Sequence, residues 1–286
     1  MQILQKSAHA KINLFLHIVG QRGDGYHLLE SLFAKLKVHD IVTVQQCNEL
    51  ICNTIGSVVN GTNIAVKAVE KLKDFVNLDS SQRLAFPSNT ILGANITINK
   101  RIPIGAGLGG GSADAGAILQ LLIKLWNIKI NKKDLSEIAL SIGADVPFCL
   151  QDKTAFVTGI GEKISEPLEL SSKLDLVLIN PGYEILAKDI YCLVKKYSPP
   201  LGRENICELI FKGRNDLEEV ALEIYKDLIE VKTALREQKN VRVVRMSGSG
   251  PTYFAIFDNA NSAELARNNL IKEHPNWLIW QDRVWI

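Results

Sequence analysis

Apolar residues recur along this chain in two rhythms, and the rhythms divide it into strands and helices. Residues 11–19 are dense enough in apolar side chains to read as a buried strand. Ser31 to Val38 and Ile41 to Gln45 read as further strands about a turn at His39-Asp40. Ile64, Ala65, Ala68, Val69 and Leu72 recur at helical spacing, with Thr62 or Asn63 as a candidate N-cap. Ala94 to Asn99 alternates like a strand, and an apolar helix runs from Ser112 to Trp126. Asn131 caps a helix over Lys132 to Ile142 that Gly143 stops. Further strands are expected at 154–158, 175–180, 242–246 and 253–257, and helices near 188–196, 217–237 and 262–272. Strands and helices alternate without a clean βαβ repeat, which predicts an α+β fold. Gly159-Ile160-Gly161 is a turn and a candidate domain edge.

Between the strand at 94–99 and the helix after it stands Pro103-Ile104-Gly105-Ala106-Gly107-Leu108-Gly109-Gly110-Gly111-Ser112. Glycine enters positive φ freely and lets a ligand approach bare backbone. A glycine loop that opens a helix points several unpaired N–H groups at one spot, where the helix dipole adds positive charge. Such a site suits phosphate. Gly105, Gly107 and Gly110 match the Rossmann glycine spacing. A Rossmann loop also needs a strand running straight into it and an acid about 20 residues on, and Lys100-Arg101-Ile102-Pro103 intervenes here. Gly105 and Gly110 have Walker A spacing, but Gly111 stands where its lysine must be.

Two more motifs accompany the loop. Ala8-His9-Ala10-Lys11-Ile12-Asn13-Leu14 lies near the start, and Met246-Ser247-Gly248-Ser249-Gly250-Pro251 precedes an apolar strand near the end. Together with Pro103, Gly107, Leu108, Gly109 and Ser112 they resemble the three motifs of the GHMP kinases, a family of small-molecule kinases. The first motif departs from the common form in lacking an early proline. Arg22-Gly23-Asp24-Gly25-Tyr26-His27 and Gly143-Ala144-Asp145-Val146-Pro147 resemble the branch whose acceptor carries a cytidyl-diphospho group. The resemblance is strongest over residues 8–33, 96–115, 140–150 and 245–257, and thin between 160 and 240.

The resemblance implies a two-domain GHMP kinase, α+β. An N-terminal ribosomal-protein-S5-domain-2-like domain would span 1–158 and a ferredoxin-like C-terminal domain 159–286, with the active site in the cleft between them. It implies ATP and Mg²⁺, the phosphates cradled by Pro103, Gly105, Gly107, Leu108, Gly109, Gly110, Gly111 and Ser112. The Ser112 hydroxyl would touch a phosphate or Mg²⁺, or act as a simple N-cap. Asn63, Ile64 and Lys100 map to the adenine pocket. Asp145 sits beside Ile142, Val146 and Phe148, and Lys11 on an apolar strand; each is a costly place for an unpaired charge, and pairing answers both. Asp145 would take the proton of the acceptor hydroxyl while Lys11 orients it and offsets charge; the alternative is a purely structural ion pair. Asn13, two residues on along the same strand face, would bind substrate or cap a strand end. By resemblance His27 reads the edge of cytosine, Tyr26 stacks on it, and Tyr191 is the opposite aromatic. No protein metal ligands are expected.

Composition narrows the alternatives. Net charge is +2 and charged residues make up 22% of the chain, which does not point to nucleic-acid binding. No apolar run approaches about 18 residues, so no membrane span is expected. The first residues lack a secretory core and cleavage site. Five irregularly spaced cysteines fit a reduced, cytoplasmic protein. The rival readings are another GHMP kinase, such as one for homoserine, and a non-catalytic nucleotide-binding protein.

Overall fold

Two long strands open the chain, and residues 10–18 of the first are buried on both faces. A computed structural model describes residues 2–56, 64–78, 92–168, 173–201 and 206–285. In chain order the described elements begin with β1 (Ile3–Gln21), β2 (His27–Gln46), β3 (Leu50–Ile55), α1 (Ile64–Leu78) and β4 (Ala94–Asn99). Then come α2 (Gly110–Leu125), α3 (Lys132–Ile142), α4 (Val146–Cys149), β5 (Ala155–Gly159) and β6 (Lys163–Ile164). They continue with β7 (Lys173–Asn180), α5 (Ala187–Tyr191), α6 (Ile206–Lys212), α7 (Asp216–Ile224) and α8 (Leu228–Arg236). The last are β8 (Val241–Met246), β9 (Tyr253–Phe257), α9 (Ala260–Glu273) and β10 (Leu278–Trp285). The candidate cap at Thr62 or Asn63 lies outside the described residues.

The chain forms two compact units, and neither is one continuous stretch. The first unit holds Met1–Ala10, Val38–Ile104 and Gly110–Gln151. In it the later half of β2 pairs antiparallel with β4, from Ile41 opposite Asn99 to Gln46 opposite Ala94, and β3 pairs parallel with β4. Val42, Val44, Ile96 and Ile98 face a helical layer. That layer supplies Ala65, Val69 and Leu72 from α1, Ile118 and Leu122 from α2, and Ile138 and Ile142 from α3. Each Val, Leu or Ile among them contributes about 1.5–3 kcal/mol when fully buried, and alanine less. The α3 cap is as expected: Asn131 Oδ1 accepts the Asp134 N–H at 2.9 Å. The turn expected at His39-Asp40 is absent, and β2 runs straight through it. Asp40 is fully buried there and accepts the amides of Arg101 and Ile102, so a polar pair that reads as a turn is an internal anchor.

The second unit holds Lys11–Lys37, Gly105–Gly109 and Asp152–Ile286. The early half of β2 pairs with β5, and β5 turns back into β6. A four-stranded antiparallel sheet of order β10-β7-β9-β8 carries α9 against β7 and β10, and α8 against β8 and β9. The single helix expected over 217–237 is two, α7 and α8. Their apolar positions keep one helical phase (Leu217, Ala221, Leu228, Val231, Leu235), so periodicity alone does not mark the break. The break falls at Tyr225, whose ring stacks 5.9 Å from that of Tyr183.

Small residues on α2 set its packing within the first unit. A Cβ at Gly116 would stand 3.1 Å from Cys149 Cβ and 3.2 Å from the Cys149 carbonyl oxygen on α4. Gly116→Val is therefore expected to lower unfolding stability by about 1–3 kcal/mol through overpacking, despite its gain over glycine in backbone entropy. Urea denaturation checks this, and an unchanged midpoint would mean that α4 has room to yield.

Candidate active site

The glycine loop owes its course to left-handed turns at alternate residues. Gly105, Gly107 and Gly109 have φ of +62°, +72° and +65°. Alternation of this kind curls successive amides around a common concavity, a backbone nest for anions. The position of Gly107 leaves no choice of residue. A Cβ there would lie 2.4 Å from the Ser247 carbonyl oxygen and 2.7 Å from that of Gly250. The loop is thus pressed against the 247–250 turn, the third sequence motif. Asn215 braces that turn by donating to the carbonyls of Met246 at 2.8 Å and Gly248 at 2.7 Å.

The carbonyls of the loop are taken. Gly105 accepts from Ile185 N–H at 3.2 Å, Ala106 from Thr252 N–H at 3.4 Å, and Leu108 from Lys11 N–H at 2.9 Å. Gly107 accepts from the Ser247 hydroxyl at 3.1 Å. What remains for a ligand is the N–H side. The loop leads directly into α2, whose first turn adds its own unpaired amides and the positive end of its dipole. The helix starts at Gly110, two residues before the expected Ser112. Ser112 is therefore inside the first turn, half-buried, and is not the N-cap.

Lys11 and Asn13 share a face of β1, as alternation predicts. Lys11 is buried; its ammonium donates to Asn13 Oδ1 at 2.8 Å and stands 4.6 Å over the Phe33 ring. Its stem runs along the loop, 3.0 Å from where a Cβ of Gly109 would be. Asn13 donates to the Ser31 hydroxyl at 2.9 Å, and Ser31 to the Phe15 carbonyl at 2.5 Å. Asn13 lies in the middle of β1, which removes the strand-end reading.

In the first unit, Asp145 directly precedes α4, is half-buried, and makes no side-chain cap to that helix. Lys100 is committed to two carboxylates, Asp40 at 2.5 Å and Asp114 at 2.8 Å. Burial pushes the Asp114 carboxyl up to about 7, against the opposing pull of Lys100. Burial alone would lower the Lys100 ammonium, but Asp114 and Asp40 raise it. Sequence reasoning passed over Asp40 and Asp114; an aspartate in the Ala-Gly-rich run 113–117 was the available signal.

The aromatic residues of the second unit gather at the start of β2. His27 is buried, with its ring 5.6 Å from Tyr191 and 6.3 Å from Tyr197. Burial lowers its pKa, which favours the neutral imidazole. Its Nε2 is buried with no partner among the described residues. Tyr26 is 58% exposed, so its face is open to a ligand. Tyr197 was not foreseen; its signal was an aromatic just before Ser198-Pro199-Pro200. Among the described residues no group of three or more His, Cys, Asp or Glu could hold a metal ion.

The family signature of the GHMP kinases N terminal domain matches residues 63–153, and that of the GHMP kinases C terminal matches 202–276. A 4-diphosphocytidyl-2-C-methyl-D-erythritol kinase of Anaplasma phagocytophilum is 36% identical over 97% of this chain and 93% of its own. One from Clostridium botulinum (strain Loch Maree / Type A3) is 35% identical over 95% of this chain and 97% of its own. The crystal structure of a 4-(cytidine 5'-diphospho)-2C-methyl-D-erythritol kinase superposes with a TM-score of 0.79 at 30% identity, over 99% of this chain and 100% of that one. A homoserine kinase from Cytophaga hutchinsonii shares the fold, with a TM-score of 0.67 at 18% identity, over 100% of this chain and 95% of that one.

Two glycine substitutions separate conformational cost from close approach. Gly25 has φ +89° with nothing within 4 Å of a new Cβ. Gly25→Ala is expected to cost only the left-handed penalty of about 1–2 kcal/mol. Gly107→Ala adds the collision with the 247–250 turn, about 1–3 kcal/mol more. Equal denaturation midpoints for the two variants would remove the close-approach argument.

Proposed function

Because this chain belongs to the GHMP kinase family, and within it to the 4-diphosphocytidyl-2-C-methyl-D-erythritol kinases, we propose the following reaction: the γ-phosphate of ATP passes to the 2-hydroxyl of 4-diphosphocytidyl-2-C-methyl-D-erythritol. It is an ATP-dependent small-molecule kinase, α+β in fold, of the non-mevalonate route to isoprenoid precursors. The observation that carries the site assignment is the loop of alternating left-handed glycines, carbonyls occupied, opening into α2. The two family signatures fall on either side of the expected boundary at 158, whereas the compact units interleave, with Lys11–Lys37 and Gly105–Gly109 grouped with Asp152–Ile286. No described helix is long and apolar enough to cross a membrane. A cytoplasmic location is supported by five cysteines that are all free thiols.

The amides of Gly105, Gly107, Leu108, Gly109, Gly110 and Gly111 hold the β- and γ-phosphates, and Ser112 adds its hydroxyl. Pro103 stiffens the entry to the loop, and the fully buried Leu108 anchors its middle. The resemblance puts Asn63 and Lys100 on the ATP side; with its ammonium on Asp40 and Asp114, Lys100 borders that site rather than binding the nucleotide itself. The donors here suit phosphate oxygens rather than a resident metal, so Mg²⁺ arrives bound to ATP and neutralises its charge.

Asp145 accepts the proton of the 2-hydroxyl as that oxygen forms its bond to the γ-phosphorus. The bond from the γ-phosphorus to the β–γ bridging oxygen breaks, and ADP leaves. Lys11, steadied by Asn13, offsets the negative charge that develops. Asn13 also borders the acceptor. At the base, Tyr26 and Tyr191 offer their faces to cytosine, and the unpartnered His27 Nε2 meets its polar edge. The neutral His27 suits an uncharged base.

ADP release from ATP and Mg²⁺ tests the proposal, with the cytidyl acceptor, homoserine and mevalonate in parallel. Turnover is expected with the cytidyl acceptor alone. Turnover with another acceptor would remove the base-binding roles, and ATP binding without turnover would favour a non-catalytic protein. Asp145→Asn is expected to lower kcat about 10²–10⁴-fold, the range for lost general-base catalysis, with ATP affinity little changed. A normal kcat in that variant would eliminate Asp145 as the base. Tyr26→Ala should raise the KM of the cytidyl acceptor about 5- to 150-fold, the worth of one stacking contact, with kcat little changed. An unaltered KM would put the base elsewhere.

A further inference from the structure

The cluster of Asp40, Lys100 and Asp114 is built like a fastening. Its side chains are 0%, 6% and 4% exposed, so solvent neither screens nor competes for these contacts. Burying three ionisable groups carries a desolvation penalty, and well-packed apolar residues of similar volume often serve stability as well or better. What such a cluster offers is direction. Asp40 lies within β2. Its Oδ2 receives the Lys100 ammonium, and its Oδ1 accepts the amides of Arg101 at 2.5 Å and Ile102 at 2.8 Å. One carboxylate therefore fixes the segment that enters the glycine loop. Asp114 lies one turn into α2 and is held by the same ammonium.

The start of α2 rests on this cluster. A Cβ at Gly110 would stand 2.9 Å from Ile102 Cγ2 and 3.4 Å from Lys100 Nζ. The first residue of the helix thus touches both the fastened segment and the ammonium. Two of the three N–H donors of the Lys100 ammonium go to Asp40 and Asp114.

We propose that Lys100 is a positioning residue for phosphoryl transfer, fixing the first turn of α2 through Asp114 and the Arg101–Ile102 segment through Asp40, so that the amides of Gly110 to Ser112 stay aimed at the phosphates of ATP. It does this without touching the nucleotide. The inference rests on the reading of this loop as the ATP site and specifies how that site is held.

The test compares binding of ATP with binding of adenosine, which has no phosphates, in three variants. Lys100→Met breaks both ion pairs, Lys100→Arg keeps the charge, and Asp114→Asn keeps the shape of one partner. Lys100→Met is expected to weaken ATP about tenfold or more, a difference of about 1.4 kcal/mol, with adenosine affinity and acceptor KM unchanged. Lys100→Arg should recover most of the ATP affinity. Asp114→Asn should show the same selective loss, smaller in size, and carries the test if Lys100→Met does not fold. Parallel losses for ATP and adenosine would overturn the proposal, since Lys100 would then contact the base. Unchanged ATP affinity in folded Asp114→Asn would also overturn it. Wild-type protein that turns over no acceptor would count against the kinase reading alone; the ratio of ATP to adenosine affinity in the variants judges the positioning role independently.

Discussion

Between Gly105 and Gly109 the backbone turns left-handed at every second residue, and what surrounds the loop follows from that constraint. A chain bent this way cannot continue a strand or begin a helix early, and its carbonyls and amides point in opposing directions. The second unit supplies donors for the carbonyls from four separate places: Ile185, Thr252, Lys11 and Ser247. With those bonds made, the loop has only N–H groups to present. An anion is the natural complement, and the proposed reading of the site makes that anion the phosphates of ATP.

The two lysines near this loop illustrate different uses of one functional group. Lys11 is packed against an aromatic ring, and its ammonium donates to the neutral amide oxygen of Asn13. Lys100 is enclosed by carboxylates, which hold its proton more firmly than in water. A buried ammonium is costly in both cases.

Local pattern made much of this legible. The glycine loop, the Asn131 cap, the strand at 253–257 and the shared face of Lys11 and Asn13 all depend on residues close in sequence. The failures share a different cause. Asp40 resembles a turn residue until its partners 60 to 62 positions away are known. Asp114 looks like an exposed helical position until Lys100 is placed beside it. The division between α7 and α8 follows a tyrosine stack with a residue some forty positions earlier, while the apolar phase runs through unbroken. Tyr197 belongs with His27 across a separation that no periodicity spans. Side chains whose meaning is set by distant partners are silent in a linear reading.

Strand β1 carries one further consequence. From Ala10 to Leu16 every residue is buried, so both faces of the strand are enclosed and nothing but phase distinguishes Lys11 and Asn13 from Ile12 and Leu14. Strand side chains alternate with a period of two. Loss of one residue ahead of Lys11 would exchange the two sets, leaving an isoleucine beside Gly109 and an ammonium in the hydrocarbon interior. Reading frame along β1, as much as the identity of any residue in it, is what sets this stretch apart from another core strand.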